Sequence, residues 1–168
     1  MISQYSSQDM EKPTRTLAVI MQRRVTQNRW ESVVWEPWSV LESDEIAGEP
    51  RLLVDQPDLQ QWLHAGFELA IHRDETEGYY LNVSSGSPRV FVLWRMDEER
   101  DKAIPLQVTA SYYEGGRWLD GGNSVDSVTM PPEVFAWVGE YVEKNYRPEP
   151  RKRIKPRSFL HPKYRSER

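Results

Sequence analysis

Three features of the sequence predict an α+β domain: a predominantly antiparallel β sandwich or barrel, one C-terminal amphipathic helix and an extended basic tail. Short runs rich in β-branched and aromatic residues alternate with polar turn clusters. A single segment, after Pro131-Pro132-Glu133, carries helical apolar spacing. Seven Trp and eight Tyr supply bulk for a core, and 168 residues suffice for one domain that needs no staples. The expected division is a flexible segment over residues 1–15, one β-rich domain over 16–146 and a basic, proline-containing tail over 147–168.

Taken in order, Thr16 to Val25 and Trp30 to Leu41 flank the short polar stretch Thr26-Gln27-Asn28-Arg29 and read as a hairpin. Pro37 has no N–H to give a ladder, which assigns the second strand to an edge or a bulge. Ser43 to Pro50 is an acidic loop. Leu59 to Leu63 and Phe67 to Ile71 read as a second hairpin turning at His64-Ala65-Gly66, with a short helix after Pro57 as the alternative. Tyr79 to Val83 and Arg89 to Arg95 read as a third antiparallel pair around the turn cluster Ser84 to Pro88. Ile104 to Tyr113 alternates as a strand, Gly115-Gly116 and Gly121-Gly122 mark a flexible loop, and Ser124 to Met130 supplies one last strand. In the helix, Val134, Trp137, Val138, Tyr141 and Val142 form one apolar stripe, and Pro148 ends the segment.

The absence of cysteine excludes a disulfide framework, a thiolate nucleophile and Cys-ligated metal. The first fifteen residues lack the apolar core of a signal peptide, and the longest apolar run, Leu17 to Met21, is far short of a bilayer span, so the expected address is the cytoplasm without membrane attachment. Charge is unevenly placed. Residues 147–168 hold nine Lys/Arg against two acids, a tail of +7, which leaves thirteen basic and twenty-four acidic residues, or −11, over residues 1–146.

No phosphate-cradling glycine loop, dinucleotide fingerprint or serine nucleophile elbow occurs, and no cofactor is expected. The densest polar stretch is His72-Arg73-Asp74-Glu75-Thr76-Glu77-Gly78-Tyr79. Kept extended, it would place Arg73, Glu75 and Glu77 on one face and His72, Asp74 and Thr76 on the other. Most tryptophans are expected in the core, with Trp118, beyond Tyr112-Tyr113-Glu114 in the glycine-rich stretch, as the exposed exception and a recognition anchor. The partner-binding candidates are therefore His72, Arg73, Glu75, Glu77, Tyr113, Glu114 and Trp118, joined by Arg151, Lys152, Arg153 and Lys155 of the tail.

Three segments together carry a resemblance: Trp30 to Leu41 (WESVVWEPWSVL), Ile71 to Tyr79 (IHRDETEGY), and Val108 to Glu114 (VTASYYE) with Met130-Pro131 and Trp137 downstream. From about Leu17 to Lys155 the chain resembles a bacterial family, domain of unknown function 3305. The resemblance implies a genetic setting beside formate dehydrogenase genes and assigns no active site. The expected function is a non-catalytic binding or accessory protein with a protein partner, assisting maturation or assembly of a molybdenum-dependent formate dehydrogenase or related complex. Two alternatives remain: a small-molecule enzyme with His72 or a glutamate as general base beside Arg73, and nucleic-acid binding by the tail, which the acidic body disfavours.

Overall fold

The computed structural model describes residues 13–148. Strands β1 (Thr14–Val25), β2 (Val33–Glu42), β3 (Arg51–Gln56) and β4 (Leu59–Ala70) form one antiparallel sheet in the order β2-β1-β4-β3. Strands β5 (Arg89–Asp97), β6 (Lys102–Thr109) and β7 (Ser124–Thr129) form a second in the order β6-β5-β7. β2 approaches β7 and β4 approaches β6, so the sheets face each other without closing into a barrel. A 3₁₀ turn at Arg73–Glu75 leads into α1 (Thr76–Val83); α2 (Tyr112–Asp120) and α3 (Pro132–Asn145) complete the fold.

The inner face of β1 supplies Leu17, Val19 and Met21 to a core shared with Leu69, Tyr79, Val90, Val92, Val128 and Val138. Runs of Val, Ile and Leu suit strands covered on both faces, and Ala18, Ile20 and Leu63 are indeed buried in a smaller cluster of their own. In α3, Val134, Val138 and Val142 are buried, whereas Trp137 and Tyr141 are only partly covered.

The expected turn at His64-Ala65-Gly66 is instead a bulge inside the unbroken strand β4. Leu17 pairs with Phe67 but Val19 pairs with His64, so three steps along β4 oppose two along β1. Gly66 takes the extra residue at φ +87, where a Cβ would meet the Ala47 backbone within 2.8 Å. The chain turns at Pro57-Asp58, between β3 and β4, and no helix begins there. Pro37 lies in β2, an edge strand whose register shifts opposite Ile20 and Met21.

Among the described residues three helices are present rather than one. Tyr79 to Val83, expected as a strand, lies in α1; β5 pairs with β6 and β7 instead. Burial decides it: Gly78, Tyr79 and Asn82 share the inward face of α1 at helical spacing. Asn82 explains the chain's direction there, donating to the carbonyls of Arg89 (2.7 Å) and Ala110 (2.8 Å) and accepting from the Arg89 N–H (2.9 Å). The expected flexible loop at Gly115-Gly116 is α2. Ser111 opens it by accepting from the Glu114 N–H at 3.2 Å, and Gly115 lets it lie against Phe91, whose ring would be 2.8 Å from an added Cβ.

Candidate functional site

The polar stretch after β4 does not stay extended. Tyr79, fully buried, accepts from the His72 N–H at 2.8 Å and bends the chain into the 3₁₀ turn. The turn separates the residues that a strand would have grouped. Glu75 points inward and is only 7% exposed. Its carboxylate accepts from Ser111 Oγ at 2.5 Å and from the Arg117 guanidinium, an ion pair with one buried and one exposed partner. The Arg117 pKa is raised chiefly by this hydrogen bond. Gly78 is required beside it, because a Cβ there would overlap Ser111 Oγ. Glu75 is thus a latch that ties the 3₁₀ turn to α2. Arg117, its partner, was no sequence candidate. The Ser111-Tyr112-Tyr113-Glu114 capping pattern was the signal that could have placed α2, and with it Arg117.

His72 and Glu114 line a cavity of about 520 Å³ with Glu68, Gln107 and Val108, at the seam between β4 and β6. Arg73 and Glu77 line a different groove of about 790 Å³ with Tyr80, Leu81, Tyr146 and Arg147. Tyr80 and Tyr146 stack there, ring centroids 4.1 Å apart and planes 12° from parallel. Desolvation and then the Glu77 carboxylate push the hydroxyls of both Tyr113 and Tyr146 above the usual tyrosine range. Glu77 therefore sits among tyrosines at the surface. Trp118 is half-buried and receives a hydrogen bond from Asn123 Nδ2 on its carbonyl. The fully displayed indole is that of Trp30, 94% exposed, with Trp38 half-exposed. Arg151, Lys152, Arg153 and Lys155 lie outside the described residues.

Among the described residues no cluster of three His, Asp or Glu could hold a metal, and no helix is long and apolar enough to cross a membrane. Fold and site together define a two-sheet α+β domain with an internally satisfied carboxylate latch and an aromatic, acidic groove beside it. The chain belongs to the family described as protein of unknown function (DUF3305), which matches residues 16–155. Neither the comparison with curated proteins nor that with solved structures gave a match.

Proposed function

We propose that this protein is a non-catalytic accessory module that captures a protein partner through the groove around Glu77. The observation that carries the reading is the separation of the charged groups. An imidazole-based active site would bring His72 and an arginine into one concavity, yet His72 and Arg73 line different cavities and Arg117 is engaged by Glu75; Glu77 does share a groove with Arg73, but both are exposed side chains open to a partner. The groove suits an extended segment. Glu77 among Tyr80, Tyr113 and Tyr146 accepts a partner's Arg or Lys by charge and ring face, while Arg73 and Arg147 take its acidic neighbours.

On this reading the partner is a component of a molybdenum-dependent formate dehydrogenase or a related complex, as the resemblance to the family implies, and capture takes place in the cytoplasm. The basic tail, on a body of opposite charge, adds a second, salt-sensitive contact to an acidic partner surface. Purifying the tagged protein from its host tests this. The expected result is a formate dehydrogenase subunit recovered in fixed stoichiometry, lost in a Glu77→Lys, Tyr113→Ala double variant and kept in His72→Gln. Recovery unaffected by the double variant, or no such subunit in the wild-type eluate, overturns it.

A further inference from the structure

A second cavity lies farther along the seam between β4 and β6, away from the Glu77 groove. It encloses about 120 Å³ and is lined by Glu49, Pro50, Trp62, His64, Arg100, Lys102, Ala103 and Ile104. The strand register explains how the two β4 side chains reach it. Trp62 pairs with Met21 and His64 with Val19, so both stand on the inner face of their sheet. Arg100 comes from the tight turn joining β5 to β6, where Asp101 takes φ 52, and Lys102 is the first residue of β6.

Donors outnumber acceptors in this wall. Trp62 Nε1 is buried without a hydrogen-bond partner among the described residues, a state that ordinarily calls for an acceptor. The Lys102 ammonium sits 3.8 Å from the centre of the Trp62 ring, and among the described residues no carboxylate lies within 4.0 Å of it. Glu49 is the one acid in the lining; it is 87% exposed and makes only a long contact, 3.8 Å, to Arg100, which Asp97 shares at the same distance. His64 is held neutral, its pKa pushed down to about 4, first by burial and then by Lys102. A neutral imidazole still offers one N–H. Water could satisfy the indole but would leave the ammonium without a counter-charge. A cavity of this size admits a few heavy atoms, since one water occupies about 30 Å³ of liquid.

We propose that the cavity between Trp62, His64, Arg100 and Lys102 is a binding site for a small anion, either a short carboxylate or an inorganic oxyanion. The anion accepts from the indole and imidazole N–H groups and pairs with Lys102, and Arg100 closes over it from the rim. Ala103, Ile104 and Pro50 form the apolar part of the lining and limit the anion's size.

The test is an NMR titration of the full-length protein with sodium acetate and, separately, sodium phosphate, each against sodium chloride at matched ionic strength. The expected result is a saturable shift of the Trp62 indole N–H and the His64 ring protons with one or both anions but not with chloride. Acetate alone would assign a carboxylate and phosphate alone an oxyanion. Lys102→Met should weaken the apparent affinity at least about tenfold, and Arg100→Gln, at the rim, by less. Should Lys102→Met fail to fold, Trp62→Phe removes the orphaned donor and must also weaken binding. Absence of any saturable shift, or affinity unchanged from the wild type in both the lysine and tryptophan variants, overturns the proposal.

Discussion

Glu75 shows how one residue's neighbours decide its role. A carboxylate buried to this extent is tolerable only when hydrogen-bonded and paired. Arg117→Ala removes the pairing charge and leaves the carboxylate on Ser111 alone, which should lower stability in urea unfolding, with part of the loss restored in Arg117→Lys. No loss would show the pair to be ornamental. Gly78→Ala should be destabilising by about 1–3 kcal/mol, because the methyl must displace Ser111 Oγ. His64 gives a pH signature. Its folded pKa of about 4 lies below the ordinary 6.5, so the folded state binds fewer protons in that interval. Stability is full above pH 6.5 and falls as pH drops from 6.5 to 4, by about 1–3 kcal/mol once its partial exposure is allowed for. Between pH 7 and 4.5 the wild type should lose that much more than His64→Gln in thermal unfolding; equal losses would mean the imidazole is not held neutral. The sequence placed Arg73 on one extended face with Glu75 and Glu77. The true partner is 42 residues away, and only the packing of α2 on the 3₁₀ turn brings it there.

At the scale of elements, legibility followed the kind of signal. The β1–β2 hairpin, the edge position of Pro37 and the last strand were readable, because β-branched alternation and a missing N–H act locally. Two glycine signals were misread. Gly66 is a bulge and Gly115 a helix position pressed on Phe91; both are required by contacts with distant chain, whereas the sequence shows only the absence of a side chain. The strand reading of Tyr79 to Val83 failed for a related reason. Its apolar residues fit either period over so short a run, and what selects the helix is the Asn82 bridge to Arg89 and Ala110. Gly66→Ala should cost at least about 2 kcal/mol, since it meets both a left-handed backbone and the Ala47 segment. A variant as stable as the wild type would mean that the bulge is soft.

For the whole molecule, composition pointed to the β-rich character, and the pattern of turns to the antiparallel sheets. How β4 meets β6 was not legible, and both cavities along that seam depend on it. The Glu77 groove was half legible: Arg73, Glu77 and Tyr113 were candidates, but Tyr80 lies in α1 and Tyr146 just past the end of α3, and they have no sequence signature as a pair. On the proposed reading the groove must matter for affinity while leaving stability alone, because exposed charges contribute only about 0–1 kcal/mol to folding. The direct measurement is calorimetric titration of the partner recovered in the purification proposed above into wild-type protein and into the Glu77→Lys, Tyr113→Ala double variant. The account predicts at least about a hundredfold rise in Kd, near 2.7 kcal/mol, with the melting temperature of the free domain nearly unchanged. An unchanged Kd in a folded double variant would contradict it.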